Sequence, residues 1–211
     1  MRSPFAERER ERLIAAMLPD VPFDGWTRPA LRRAARRADI PVDEALALFP
    51  RAADMIAAFS HWADREMLER LDAQPVEALG LSRRVALALR LRFAVLLPWR
   101  EGVRRGLAVL AMPSNAPLGL HLLHDTVDAI WQGVGDQSTD FSFYTKRATL
   151  AGIQAAATLY WLDDRSPGFA DTQQFIERRL ADLHRLTGLR GRLATAADSL
   201  PNPFRLLRPS G

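Results

Sequence analysis

The sequence predicts an all-α fold, and three features of it support the prediction. Apolar residues recur at helical spacing along most of the chain, and no segment shows the alternation of apolar and polar residues that is typical of a strand. Prolines separate the periodic stretches, as they commonly do between helices. A chain of 211 residues, 48% of them hydrophobic, is also long enough to bury one sizeable core or two small ones.

The first fifty residues are predicted to form three short helices. An amphipathic helix covers residues 5–18, a second begins after the N-cap Thr27, and a third covers residues 42–49. The second helix has an apolar inner face, and its outer face carries four arginines: Arg32, Arg33, Arg36 and Arg37. Three short helices in this order are typical of a helix-turn-helix module.

The third of these helices lacks the side chains that read DNA bases. Its charged residues are Asp43 and Glu44, which phosphate repels, and it contains no arginine, lysine, asparagine or glutamine. The arginines lie on the second helix, which supports the reading helix in such modules. The sequence therefore predicts a degenerate module that does not bind nucleic acid.

Four amphipathic helices are predicted in the middle of the chain. They cover residues 51–71, residues 83–97, a segment that follows Trp99 and ends near Ala111, and residues 118–131. Ser82 is the predicted N-cap of the second of these helices.

The stretch 131–162 is predicted to contain the central helix of the domain. Ser138 or Thr139 caps its N-terminus, no proline interrupts it before Pro167, and alanine and leucine dominate it. A helix with so few polar residues is expected to be buried on more than one side. A last helix is predicted from Pro167 to about Leu186.

One face of this central helix combines aromatic and charged residues. Asp140, Phe143, Tyr144 and Arg147 fall at positions i, i+3, i+4 and i+7 and therefore share one stripe. Two interpretations remain open. The stripe is either a half-buried boundary with a surface ion pair or a recognition face for a partner protein, because interface centres combine aromatics with charge.

The C-terminal tail, residues 188–211, differs in composition from the rest. Leucines, a phenylalanine and arginines occur together, and prolines interrupt the helical spacing. This composition is typical of an amphipathic anchor on anionic lipid, and equally of a docked C-terminal helix. The candidates for membrane contact are Leu193, Leu200, Phe204 and Leu207.

The chain contains few of the residues that catalysis requires. It has no cysteine, which excludes disulfides, thiolate metal sites and cysteine nucleophiles. It also has no phosphate-binding loop, nucleophile elbow or dinucleotide fingerprint. We therefore expect no enzymatic activity and no cofactor.

Two histidines offer a weak metal-binding pattern. His121 and His124 are spaced to share a helix face, next to Asp125. A metal pair is one interpretation, but two histidines without further oriented ligands are more typical of polar boundary residues. We expect no metal site.

Charge and hydropathy also bear on the compartment. The N-terminal residues are charged and lack an apolar signal core, and the most apolar run, 85–97, is interrupted by Arg90 and Arg92. The sequence thus predicts a protein that is cytoplasmic or peripheral to a membrane. Its net charge of +4 permits contact with nucleic acid or anionic lipid.

An apolar helical body without catalytic residues suits a carrier or presenter of an apolar ligand. The residues that we expect to line its pocket are Met112, Leu118, Leu122 and Leu159, although each could equally close the core.

An ordered set of motifs resembles the Coq-nine family of ubiquinone-biosynthesis accessory proteins. The most specific are GDQSTDF at 135–141 and YTKR at 144–147. The others are MPSNAP at 112–117, DAIW at 128–131, DRSP at 164–167, Thr172, Phe175 and the pair Arg178–Arg179. The dense part of the resemblance runs from about Ala111 to Leu180.

The resemblance implies a fold similar to TetR-type regulators, with about nine to ten helices. It implies a degenerate helix-turn-helix-like module over residues 1–50, a helical lipid-binding domain over 51–187 and an amphipathic tail over 188–211. Because dimers are common for this fold, a homodimer is also expected.

The resemblance also implies a function. Family members bind isoprenoid lipids, including ubiquinone or its precursors, at the membrane and support the di-iron demethoxyubiquinone hydroxylase without catalysis of their own. The partner-facing patch of the family falls on Asp140, Phe143 and Tyr144, and Phe143 stands where eukaryotic members have tryptophan. The sequence resembles a bacterial member at the inner face of the membrane, whose partner is this hydroxylase or another enzyme of the pathway. The alternative function is a TetR-like DNA-binding transcriptional regulator with an apolar effector.

Overall fold

The structure is a computed structural model, and it describes the backbone of residues 4–135 and 141–182. It describes the side chains of residues 6–135 and 145–182. Within these ranges the regular secondary structure is helical and contains no strand, which confirms the predicted all-α class. The candidate N-caps Ser138 and Thr139 lie outside the described residues.

Nine α-helices have both ends within the described ranges. They are α1 (Pro4–Met17), α2 (Val21–Asp24), α3 (Arg28–Arg37), α4 (Val42–Leu48), α5 (Ala52–Asp72), α6 (Leu81–Leu96), α7 (Arg100–Leu110), α8 (Ala116–Gly133) and α9 (Phe141–Asp163). Helical residues 170–182 follow the 3-10 turn Pro167–Phe169 and are named α10. Within these ranges no helix is both long enough and apolar enough to span a membrane.

The ends of α1 and α3–α9 lie within about two residues of the predicted ends, which is the usual uncertainty of helix boundaries. The four-residue helix α2 was not predicted, because it is too short to show a helical period. Ser82 is not the N-cap of α6. The helix begins at Leu81, Gly80 occupies the N-cap position, and no side chain caps it.

The N-terminal helices pack as the sequence predicts. The hydroxyl of Thr27 accepts a hydrogen bond from the backbone N–H of Ala30 at 3.4 Å, which caps α3. The inner face of α3 is fully buried against α1 and α4. On its outer face, Arg33 pairs with Asp20 and Asp24, and Arg37 pairs with Asp20.

The helix at the centre of the molecule is α5, and the prediction that 131–162 contains the central helix is wrong. Helix α5 packs against α1, α6, α7 and α8. Helix α9 packs mainly against α8, and Ala155, Ala156 and Leu159 on its other side are exposed. Composition misled the prediction because alanine favours a helix whether it is buried or not.

The buried apolar residues form a core that runs from α1 to α10. It includes Leu13 on α1, Met67 on α5, Phe93 on α6, Trp161 on α9 and Ile176 on α10. The three-helix module at the N-terminus therefore shares its core with the helices that follow. The division into residues 1–50, 51–187 and 188–211 stays a prediction.

The junction between α9 and α10 is fixed by one buried carboxylate. Asp164 accepts hydrogen bonds from the N–H and hydroxyl of Ser166 at 2.8 and 2.6 Å. It also accepts from the N–H and hydroxyl of Thr172 at 2.9 and 2.6 Å. Burial by itself would raise the pKa of Asp164, but these four hydrogen bonds outweigh it and hold the pKa at about 2.

We expect Asp164→Asn to destabilise the fold in a pH-dependent way. The pKa of Asp164 is lowered on folding, so the stabilisation is present above its ordinary pKa and is lost as the pH falls through the folded pKa. The lowering corresponds to about 2 kcal/mol at pH 7 and about half of that at pH 3. Urea unfolding at both pH values measures it.

The neighbouring Asp163→Asn serves as the matched control. Its side chain is 83% exposed and pairs only with Arg104 at the surface within the described part of the chain, so we expect a loss below about 1 kcal/mol. Equal losses for the two variants, or a loss for Asp164→Asn that does not change with pH, would contradict this account of the junction.

Candidate functional site

An apolar cavity of about 550 Å³ lies between helices α5 to α9. It is bounded by α5 on the core side and by α7, α8 and α9 towards the surface, with the end of α6 completing the wall. The aliphatic and aromatic residues that line it are Ile56, Phe59, Leu96, Val103, Leu107, Leu110, Leu120, Leu122, Leu123 and Leu159.

Two glycines of α7 shape the cavity. A Cβ atom on Gly102 would lie 3.2 Å from Cγ1 of Val21, and one on Gly106 would lie 3.4 Å from Nε1 of Trp26. The indole N–H of Trp26 donates to the backbone oxygen of Gly102 at 2.9 Å, which fixes α7 against the N-terminal helices. Both glycines also line the cavity, and the absence of a Cβ atom lets α7 pack closely against Val21, Trp26 and Ile56.

One wall of the cavity carries a buried ion pair. Arg92 donates from Nε to Asp64 at 2.7 Å, and both side chains are 8% exposed. Nη2 of Arg92 donates to the hydroxyls of Ser60 and Thr126 at 3.2 and 3.3 Å. The hydroxyl of Thr126 lies 3.1 and 3.0 Å from the two carboxylate oxygens of Asp64. This network joins α5, α6 and α8, and three of its members, Ser60, Arg92 and Thr126, line the cavity.

A second polar group of the wall comes from α9. Gln154 is 3% exposed and lines the cavity together with Thr158. The Gln154 amide donates from Nε2 to the hydroxyl of Thr158 at 3.4 Å. Its oxygen Oε1 is buried and has no hydrogen-bond partner among the described residues.

The mouth of the cavity is apolar and open. Leu120 on α8 is 70% exposed and Leu159 on α9 is 64% exposed, and both line the cavity. Large aliphatic side chains with this exposure are costly in water when they lie together. The cavity thus combines an exposed apolar rim with buried polar groups further inside.

Comparisons with known sequences agree on one protein family. A family model described as COQ9 matches residues 116–187. The chain is 33% identical over 183 residues to the human mitochondrial ubiquinone biosynthesis protein COQ9, an alignment that covers 83% of this chain and 58% of that protein. It is 34% identical over 183 residues to COQ9-A of Xenopus laevis, with 83% and 58% covered.

This chain belongs to the COQ9 family. It spans about three fifths of the length of the curated relatives that it matches.

A solved structure confirms the expected fold. The crystal structure of a TetR transcriptional regulator from Nitrosomonas europaea matches with a TM-score of 0.67 at 18% identity, covering 82% of this chain and 97% of that chain. At this identity the likeness concerns the fold alone. The COQ9-family chain therefore has a TetR-like helical fold.

Of the four residues predicted to line a lipid pocket, two line the cavity and two do not. Leu122 and Leu159 line the cavity. Met112 is 52% exposed in the loop before α8, and Leu118 is half-buried on α8, and neither is a lining residue. Lipid binding by these four residues stays a prediction.

The stripe predicted as a partner face is described only at Arg147. The Nε of Arg147 donates to Asp128 on α8, and its side chain is 12% exposed. Arg147 thus ties α9 to α8. Asp140 and the side chains of Phe143 and Tyr144 lie outside the described residues, as do the membrane candidates Leu193, Leu200, Phe204 and Leu207. The partner face, the membrane contact and the homodimer all stay predictions.

The histidines of α8 form part of a surface cluster with α5. His61 lies 3.1 Å from Asp125, and His121 lies 3.5 Å from the same carboxylate oxygen. His124 lies 3.8 Å from Asp125 and 3.9 Å from Asp128. No group of three or more such residues within the described ranges has the geometry to hold a metal ion.

The buried polar groups of the cavity were not among the predicted site residues. Asp64 and Arg92 fall on the inner faces of helices whose other inward residues are apolar, and this was the signal that could have found them. Their pairing joins residues 28 apart in sequence, which helical spacing alone cannot reveal.

Replacing Arg92 by leucine should lower the free energy of unfolding by about 3 kcal/mol or more, because Asp64 would remain as an unpaired buried charge. Replacing both Asp64 and Arg92 by leucine should cost less than the two single changes summed. Urea unfolding of the single and double variants measures this coupling.

The exposed Arg90 on the same helix gives the matched control, and Arg90→Leu should change stability by less than about 1 kcal/mol. If the double variant lost the full sum of the single losses, the ion pair would not be a coupled unit.

Proposed function

We propose that this protein is a lipid-binding accessory protein of ubiquinone biosynthesis. It binds an isoprenoid quinone precursor in the cavity between α5 and α9 and presents it to the demethoxyubiquinone hydroxylase or another enzyme of the pathway. The observation that supports this most directly is the cavity itself, in a chain of the COQ9 family.

The size and lining of the cavity suit an amphiphile with an apolar tail. Its volume of about 550 Å³ lies within the range of small-molecule sites. Each methylene group that a ligand buries against the leucines of α7 and α8 contributes roughly 0.8 kcal/mol. The open mouth allows the remainder of a long chain to leave between Leu120 and Leu159.

The exposed rim supports loading at a membrane surface. Leu120 and Leu159 would be covered by lipid tails or by a partner when the cavity is in use. We assign Leu193, Leu200, Phe204 and Leu207 of the tail to membrane contact, because leucine and phenylalanine among arginines favour an anionic interface. This location corresponds to the inner face of a bacterial membrane.

The partner face predicted at Asp140, Phe143, Tyr144 and Arg147 is assigned to the first three, and Arg147 supports it by joining α9 to α8. Helix α9 supports this assignment, since it begins near these residues and lines the cavity further along with Gln154 and Leu159. Residues 144 and 154 are ten positions apart in one helix, a distance of about 15 Å. A partner bound at the first site would therefore lie close to the ligand.

A non-catalytic role agrees with the chemistry of the cavity wall. The carboxylate of Asp64, the one potential base of this network, is occupied by hydrogen bonds from Arg92 and Thr126. Such a group positions a ligand but offers no unpaired base or nucleophile.

The surface of the N-terminal module gives little support to the alternative function of a DNA-binding regulator. Arg33 and Arg37 are neutralised by Asp20 and Asp24, and Asp43 and Glu44 of the reading-position helix are exposed. Phosphate would be repelled from that helix. We therefore do not propose DNA binding.

A tryptophan at Ala155 tests the cavity. Ala155 is an exposed lining residue of α9, so Ala155→Trp should block the mouth without entering the core. We expect the wild type, purified from quinone-producing cells, to carry isoprenoid quinones or their precursors, and the variant to carry at least fivefold less. Mass spectrometry of the extracted lipids measures both.

The matched control is Ala156→Trp, because Ala156 is the adjacent exposed alanine and does not line the cavity. It should retain the bound lipid. Background lipid alone in the wild type would remove the support for a carrier.

The partner face is tested by replacing Phe143 and Tyr144 together with alanine. We expect the affinity for the hydroxylase to fall at least tenfold in a pull-down or calorimetric titration, because aromatic anchors dominate interfaces. The circular dichroism spectrum should not change. Tyr160→Ala, at the far end of α9, should bind normally. Unaltered binding of the Phe143 and Tyr144 variant would exclude this face.

A further inference from the structure

We propose that the cavity selects a neutral ring that carries a hydroxyl group, and so prefers a phenol or hydroquinone to the corresponding quinone. The choice is made by Gln154, which accepts a hydrogen bond from the ring hydroxyl, while Arg92 donates to a ring oxygen in either redox state. The inference rests on the proposed function and adds the chemical state of the ligand.

The hydrogen bonds around Gln154 determine which end of its amide remains available. The hydroxyl of Thr158 donates its single proton to the backbone oxygen of Gln154 at 2.7 Å. That hydroxyl can then only accept from the side chain, so the amide end at 3.4 Å is the Nε2–H donor. Oε1 is therefore the end without a partner among the described residues.

A buried carbonyl oxygen without a hydrogen-bond partner strongly favours a ligand that donates a hydrogen bond to it. Gln154 is 3% exposed, so bulk water does not replace the missing hydrogen bond, and leaving such an acceptor unsatisfied is costly. A phenolic O–H supplies the missing donor. A quinone carries only acceptor oxygens and would place a carbonyl against a carbonyl.

Arg92 contributes the complementary donor. Its hydrogen bonds within the described residues use Nε and Nη2, which leaves the N–H groups of Nη1 for a ligand. A hydroquinone or alkoxyphenol offers an oxygen lone pair to this guanidinium as well as a proton to Gln154.

The charge of the wall favours a neutral head over a carboxylate. Asp64 already balances the guanidinium of Arg92 at 2.7 Å, so an additional carboxylate in the cavity would be a second negative charge for one positive charge. Burying an unpaired charge is far more costly than burying a hydroxyl. We therefore expect the cavity to bind neutral phenol head groups more tightly than benzoic acid head groups.

The test compares one ligand in two redox states. Decylubiquinol, held reduced under anaerobic conditions, and decylubiquinone are titrated against the delipidated protein by quenching of tryptophan fluorescence. We expect the quinol to bind about five- to tenfold more tightly, as one hydrogen bond and the relief of one buried acceptor predict. Gln154→Leu should reduce this ratio to about one.

The cavity variant Leu107→Ala is the matched control. It removes apolar contact from the same cavity and should weaken both ligands equally, leaving their ratio unchanged. Gln154→Met, which keeps length without a carbonyl, provides a second variant if Gln154→Leu does not fold, and it should also abolish the preference.

The outcomes separate this inference from the proposed function. Equal binding of quinol and quinone by the wild type, or a preference that survives both Gln154 variants, would overturn the selection while leaving the carrier intact. If the wild type bound neither ligand, the carrier itself would fail, and the selection with it.

Discussion

The cavity depends on the buried network of Asp64, Arg92, Ser60 and Thr126. These side chains come from three helices, α5, α6 and α8, and their hydrogen bonds hold the helices at a fixed separation. A buried ion pair stabilises little compared with apolar packing, but it specifies geometry, because its partners tolerate few arrangements. In this molecule the network joins three of the helices that form the cavity wall. The glycines of α7 allow that helix to approach the N-terminal helices and α5 closely.

The secondary structure could be predicted from the sequence, whereas the site could be predicted only in part. Helical spacing and proline positions determine α1 and α3–α9 to within about two residues, because these signals are local. The central position of α5 was not predicted. The many alanines of 131–162 predict a helix, but they do not show whether it is buried, because alanine has the same helix propensity when exposed and when buried. Two of four predicted lining residues, Leu122 and Leu159, reach the cavity. Gln154 and Arg92 were missed because a buried polar group is recognised only by what surrounds it.

Several motif positions behind the family resemblance have structural roles. Asp164 and Ser166 of the segment 164–167 form with Thr172 the hydrogen-bonded junction between α9 and α10. Asp128 and Arg147 join α8 to α9. Specific motifs therefore need not mark a binding surface. They can equally preserve the angles between helices, on which the shape of a cavity depends.

The pairing of Asp64 with Arg92 would also affect the exchange of a ligand of the proposed kind. Because the carboxylate and guanidinium already satisfy each other, emptying the cavity exposes no bare charge and requires little rearrangement of the wall. The loaded and empty states thus differ mainly in buried apolar surface and a few hydrogen bonds. Release of a ligand of the proposed kind would therefore break no hydrogen bond between Asp64 and Arg92. The wall would thus keep the same geometry from one ligand to the next.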